Sequence, residues 1–312
     1  MQATTSATLA NQISKLKQEK NAIILAHYYQ SGDIQDVADF VGDSLELSRK
    51  AAATDADIIL FAGVHFMAET AKILSPNKRV LLPDLAASCS LAESCTVSEL
   101  REWKSQYPDH VTVAYINTPA DVKAECDLIC TSVNAVKVIQ SIPEGQPILF
   151  LPDANLGDYL IKQTGREMKL WEGACQVHEA FAIDKILDLK KAFPTAEFIA
   201  HPESEKHILK VASFIGSTSA LIKYVKESNN DTFIVATEAG VLHEMQKVAP
   251  NKQIIPAPAE EENHCACSEC EYMKVNTLQK VYDCLKNESP EIQLTSDIRL
   301  AAFAPLKKML AI

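Results

Sequence analysis

The chain has 312 residues, 47% of them hydrophobic and 23% charged, enough for two or three cores and the ordinary balance of a globular protein in water. Its formal charge of −11 argues against nucleic acid as a partner, because holding a row of phosphates needs a basic face. Small anions remain open, since histidines, hydroxyls and helix N-termini bind them locally.

No segment approaches the ~20 consecutive apolar residues of a membrane helix. The longest apolar runs, such as 58–64, have the length of a buried strand. The opening segment MQATTSATLANQISKLKQEK lacks the basic start and apolar block of a secretory signal. Leu9, Ile13 and Leu16 instead fit one face of a surface helix. A cytoplasmic location without a membrane partner is expected. Nine cysteines in a reducing compartment then point to metal or catalysis before disulfides.

From residue 22 onward, strand-like runs alternate with helical patterns: AIILAH, ADIILFAG, VTVAYIN, QPILFLPD, AEFIAHP and TFIVATE. These runs are continuously apolar, as parallel strands covered on both faces are. Taken in order, they repeat. The first strand of each unit ends in polar residues, AHYYQ at 26–30, AYINT at 114–118 and AHPES at 200–204, so that His27, Tyr115 and His201 are 88 and 86 residues apart. The second ends in hydroxyls, FVGDS, LICTS and FIGST, and Ser44, Ser132 and Thr218 show the same 88 and 86. Two independent landmarks with one spacing define a threefold pseudo-repeat. The expected fold is α/β, three α/β/α sandwich units around a pseudo-threefold axis with a central site. Residues 1–104 plus 272–312 form the first unit with its terminal helices, 105–190 the second and 191–271 the third.

The fourth strand of each unit leads to a cysteine: VLLPDLAASC, LWEGAC and IIPAPAEEENHCACSEC. The repeat therefore brings Cys89, Cys175 and Cys270 together. Three thiolates suit an iron–sulfur cluster or zinc. Clusters usually take four protein ligands, so three leave one iron open as a Lewis acid. Cys95, Cys126, Cys130 and Cys284 are assigned to core packing. Gly42, Gly63, Gly157, Gly216 and Gly240 are read at strand C-terminal ends, where backbone approaches ligands closely and open α/β sheets bind them. Asp84 and Asp153 follow prolines and are read as turn residues. No GxGxxG or P-loop is present, so a nucleotide site is not indicated.

The segments AHYYQ, GDSLELS, PDLAASCSLA, YINT, CTSVNA, PDANLG, GACQVH, HPE, GSTSAL and CEYM follow one another from about residue 20 to 285. In that order they resemble the quinolinate synthase (quinolinate synthetase A) family. The resemblance implies a three-cysteine [4Fe–4S] cluster at the bottom of a central cavity. It implies condensation of iminoaspartate with dihydroxyacetone phosphate to quinolinate, phosphate and water on the way to NAD, with an L-aspartate oxidase supplying iminoaspartate. By resemblance, His27, Ser44, Tyr115, Ile116, Asn117, Ser132, His201, Pro202, Glu203 and Thr218 bind substrate. Glu203 and Tyr29 resemble the family's acid–base residues, with His201 and with His178 placed between cluster and substrate. Glu203 alone brings a carboxylate to the ring of first-strand endings, and burial near anionic substrates should raise its pKa.

The last cysteine group departs from the family's CxxCxxC: it reads CxCxxC, Cys265, Cys267 and Cys270. Cys270, before Glu-Tyr-Met, matches the ligand position. Cys265 and Cys267 are open to a regulatory disulfide, or to zinc with His264. Two other functions stand beside the condensation. One is an open-iron hydro-lyase acting on a small hydroxy acid, disfavoured by the three hydroxyl endings. The other is an iron or oxygen sensor, disfavoured by the acidic charge and the lack of a DNA-binding motif.

Overall fold

The computed structural model describes residues 2–260 and 268–312, with backbone alone over 2–7. His264, Cys265 and Cys267 lie outside the described residues. Three separate four-stranded sheets are present, each wholly parallel. The first holds β1 (Ala22–His27), β2 (Phe40–Gly42), β3 (Ile58–Ala62) and β4 (Arg79–Leu81). The second holds β5 (Val111–Tyr115), β6 (Leu128–Cys130), β7 (Ile148–Leu151) and β8 (Lys169–Leu170), and the third β9 (Glu197–Ala200), β10 (Phe214–Ile215), β11 (Thr232–Ala236) and β12 (Gln253–Pro256). Strand order is the same in all three, second-first-third-fourth. The α/β class and the three units expected from the repeat are therefore present.

The registers repeat as well. Ala26 pairs with Ala62, Ala114 with Leu151 and Ala200 with Ala236. The first strands consequently end level with one another, and the residues after them emerge at equivalent places. The central strands are apolar on both faces: β3 and β7 are buried throughout. This is why they read as continuous runs rather than alternating ones.

Local signals explain how the helices start. The helix Ser44–Ala53 opens with a capping box, in which Asp43 accepts from Leu45 and Glu46 amides and Glu46 reaches back to the Asp43 amide. Ser217 caps Thr218–Glu227 by accepting from the Ala220 amide. Unit two differs. Thr131 to Asn134 form a turn, with the Thr131 amide donating to Asn134 Oδ1, and the helix begins only at Ala135. Asp153 is a helix N-cap, accepting from the Leu156 amide at 2.9 Å, and Asp84 makes its turn through the Ala86 amide.

The helix Gln2–Glu19 lays Ile13, fully buried, against Leu278, Val281 and Leu285 of the helix Leu278–Asn287, with Leu9 and Leu16 beside it. One such buried side chain contributes about 1.5–3 kcal/mol. The last helix, Ser296–Ala311, packs Ala302, Leu306 and Met309 into the core shared by units one and two. Met309 carbonyl accepts from Asn134 Nδ2 and Asp127 carbonyl from Lys308, so the chain ends against unit two. Gly157 does not sit at a strand end: it lies inside the helix Ala154–Thr164, where a Cβ would come within 2.5 Å of Leu170 Cδ2. Its role is helix–strand packing. Gly240 does serve close approach, since a Cβ there would lie 2.8 Å from the Tyr29 carbonyl carbon. Among the described residues, no helix is long and apolar enough to cross a membrane.

Candidate active site

The strand ends of the three units enclose one cavity of about 670 Å³, its mouth included. His27, Tyr29, Ser44, Cys89, Tyr115, Asn117, Ser132, Cys175, His178, His201, Glu203, Thr218 and Cys270 all line it. Ile116 and Pro202 do not: both are buried beside it, Ile116 in the main core. The repeat thus brings its equivalent positions to one place, including all three hydroxyls.

Each cysteine of the repeat sits at the N-cap of a four-residue helix: Cys89 before Ser90–Glu93, Cys175 before Gln176–Glu179 and Cys270 before Glu271–Lys274. Burial pushes the thiols of Cys89 and Cys270 up to about 12, and that of Cys175 well above its ordinary value. Cys175 is raised further by Glu203 and by the nearby Cys89 and Cys270. Opposing this, amides of each short helix favour the thiolate: Leu91 and Ala92 for Cys89, His178 for Cys175, Tyr272 and Met273 for Cys270. Three partly buried thiols that repel one another when ionised, each facing helix amides, form a soft donor set suited to one shared cationic group. Cys95, Cys126, Cys130 and Cys284 lie in hydrophobic cores instead, as expected of packing residues.

His27 and His201 are held in the same way. Each accepts a backbone N–H two residues on at Nδ1, from Tyr29 at 3.2 Å and from Glu203 at 3.4 Å. The proton is therefore assigned to Nε2 in both. Burial drives both imidazoles down to about 3, so they are neutral donors.

Glu203 departs from expectation. Burial favours the neutral form, but its carboxylate accepts from Tyr115 O–H at 2.5 Å and lies 3.0 Å from His178 Nδ1. Burial raises its pKa; the His178 and His201 rings and the Tyr115 hydroxyl outweigh that and bring it below the ordinary range. The two nearby histidine rings, helped by the hydrogen bonds from His178 and Tyr115, win over desolvation. Glu203 is thereby held as a carboxylate.

From Glu203 a continuous line of hydrogen bonds leads to Tyr29. His178 Nε2 lies 3.1 Å from Thr237 Oγ1, which is 2.9 Å from the Tyr29 hydroxyl, itself 3.1 Å from Thr218 Oγ1. The direction follows from its anionic end. His178 donates Nδ1–H to Glu203, so its Nε2 accepts from Thr237, and Thr237 accepts from Tyr29. Burial raises Tyr29 and Tyr115 far above the ordinary phenol value, which keeps both as O–H donors. Cys175 Sγ, His178 and Glu203 also place their ligand atoms within 4.8 Å of one another, a second possible metal grouping.

Thr237 and Glu238 were not singled out from sequence. They end the strand TFIVATE, where units one and two carry Gly63-Val64 and Pro152-Asp153. Two consecutive polar residues after the third strand, found in unit three alone, were the available signal.

A family model described as Quinolinate synthetase A protein matches residues 11–311. A protein of Gloeothece citriformis named quinolinate synthase is 60% identical over 298 residues, 96% of this chain and 92% of its own length. One from Nostoc sp., also named quinolinate synthase, is 60% identical over 96% of this chain and 91% of its own length. One from Chloroherpeton thalassium with the same name is 56% identical over 97% and 94%. The chain is an enzyme and belongs to the quinolinate synthetase A family.

Proposed function

We propose that this chain condenses iminoaspartate with dihydroxyacetone phosphate to give quinolinate, phosphate and water for NAD synthesis, with an L-aspartate oxidase supplying the iminoaspartate. The observation that carries the reading is the meeting, in one cavity, of three partly buried thiols with the hydrogen-bond line from Tyr29 to Glu203. Cys89, Cys175 and Cys270 would hold a [4Fe–4S] cluster. When bound, such a cluster supplies one iron without a protein ligand, a Lewis acid for substrate oxygen or nitrogen.

The chain's own groups account for binding and proton movement. The neutral His27 and His201 present Nε2–H donors to substrate carboxylate or phosphate without a fixed charge. Ser44 and Thr218 open helices whose positive ends favour anions. Ser132 and Asn117 add polar groups from unit two. Tyr29 is too deeply buried to ionise alone. As Tyr29 takes a proton from the substrate it passes its own to Thr237, Thr237 passes its own to His178 Nε2, and His178 releases Nδ1–H to Glu203, so that no free phenolate forms. A base at the far end of the line thereby makes Tyr29 usable as proton acceptor or donor at the substrate.

The test is anaerobic purification with iron, sulfide and zinc analysis, followed by a quinolinate assay from the two substrates. A brown, iron- and sulfide-containing protein that makes quinolinate is expected. A colourless zinc protein, with zinc at Cys175, His178 and Glu203, would overturn the reading.

A further inference from the structure

Glu238 is fully buried, yet it lies two residues past the end of β11 and belongs to no strand or helix. Its carboxylate takes three donors. Oε1 accepts the backbone N–H of Cys270 at 3.0 Å and the ammonium of Lys274 at 2.9 Å, and Oε2 accepts the Gly240 N–H at 2.6 Å. Lys274 also donates to the carbonyl of Tyr29 at 2.8 Å. The next residue, Ala239, donates its amide to Ser268, two residues before Cys270.

Direct bonds join all three cysteine helices: Ser90 Oγ receives the Gln176 amide at 3.2 Å, Tyr272 O–H donates to Glu93 at 3.1 Å and Gln176 Nε2 donates to Glu271 at 3.1 Å. At Cys270 the cysteine's own N–H is in addition held by a buried carboxylate, Glu238, which Lys274 pairs and ties to the Tyr29 carbonyl. We propose that Glu238 and Lys274 act as a positioning pair that sets Cys270 at the cluster and locks it to the Tyr29 backbone. This rests on the reading of Cys270 as a cluster ligand. Groups that hold a ligand from behind typically govern metal retention by 10–100-fold.

The experiment compares the wild type with Glu238→Gln, Lys274→Met, Lys274→Arg and the double variant Glu238→Gln/Lys274→Met, all reconstituted anaerobically. Iron per chain and the rate of bleaching by an iron chelator are read first. Each neutralising single variant should lose its cluster about 10–100-fold faster. The double variant should lose it more slowly than the two effects combined, since neither charge is left buried without its partner. Lys274→Arg should stay near wild type. In Lys274→Met, kcat per bound cluster should fall while KM holds, because the Tyr29 carbonyl has lost its donor. A readout without any cluster separates the two readings: in metal-free protein, Lys274→Met should speed alkylation of Cys270 relative to Cys89, measured by peptide mass. If the wild type takes up no iron, the cluster reading fails and the alkylation ratio still decides on the pair. Wild-type bleaching rates in both single variants, or an unchanged alkylation ratio, would overturn the proposal.

Discussion

Replacing Glu203 by Gln cuts the acid–base line at its acceptor end while keeping its shape. The native carboxylate offers one oxygen to Tyr115 O–H at 2.5 Å and the other to His178 Nδ1–H at 3.0 Å. Gln has one oxygen, so its amide must face one of these donors with N–H groups. A hydrogen bond to a charged group contributes about 1.5–3 kcal/mol. Losing one and neutralising the other should lower the stability of the metal-free protein by on the order of 2–4 kcal/mol, read from denaturant unfolding. Turnover should fall roughly 10²–10⁴-fold, since no base remains to receive the proton from His178. The assay is anaerobic quinolinate formation per bound cluster, beside iron and sulfide content and product binding, both expected to hold. The pH dependence has a definite sign. The neighbours of Glu203 bring its pKa below the unfolded value of 4.5, so its stabilising contribution is complete above that pH and is lost as the pH falls through the folded value. The Gln variant should lack this acid sensitivity. Near-native turnover with a full cluster would refute the acceptor role and leave Tyr29 acting without it.

Other substitutions separate the remaining claims. Thr237→Val should cut turnover roughly 10²-fold or more and Thr237→Ser should restore most of it, because only the hydroxyl joins Tyr29 to His178. Equal activity of Val and Ser variants would break the line. Single replacement of Cys89, Cys175 or Cys270 by Ala should abolish the brown absorbance and activity, whereas Cys126→Ala or Cys130→Ala should cost stability alone. A cluster that survives Cys270→Ala but is lost in Cys267→Ala would move the third ligand. Lys123, fully buried with its ammonium on the Thr118 carbonyl, is pushed by burial from 10.5 down to about 8. Between those values the unfolded chain binds the extra proton, so this group makes stability rise with pH across that window. Lys123→Met should remove that rise when unfolding midpoints of the two proteins are compared from pH 8 to 10.5, and parallel curves would contradict it.

The fold was legible because each unit repeats the same transition from apolar strand to polar ending. Parallel registers turn equal spacing in sequence into equal height in space, as the pairs Ala26–Ala62, Ala114–Leu151 and Ala200–Ala236 show. Where a unit breaks the pattern, spacing misleads. Ser132 lies at the same interval as Ser44 and Thr218, but a turn separates it from its helix. Gly157 looks like a strand-end glycine and is buried under Leu170. Thr237 stayed hidden because its equivalents are Gly63 and Pro152, which carry no polar side chain. The direction of the Glu203 shift was out of reach for another reason. Burial and the neighbouring His201 were foreseeable, but His178 and Tyr115, which with His201 outweigh burial, both come from unit two, His178 from the short helix after Cys175.

The three units do not contribute equally, and the inequality suits the proposed condensation of two different anions. A symmetric ring would bind either one in three equivalent ways. The cysteines keep the symmetry: each caps a four-residue helix, as three ligands of one group require. Two residues beyond each first-strand landmark the symmetry is given up. Tyr29, Asn117 and Glu203 occupy that place after His27, Tyr115 and His201, offering a phenol, an amide and a carboxylate. The phenol and the carboxylate are joined by Thr237, present in unit three only, and by His178, three residues past Cys175. The line therefore draws on all three units: Tyr29 from the first, His178 from the second, Thr237 and Glu203 from the third. Besides His178, unit two lines the cavity with Asn117 and Ser132, polar side chains that do not titrate near neutral pH. Titratable groups thus line one part of the cavity and non-titrating polar groups another, an asymmetry that would distinguish the two anions of the proposed condensation.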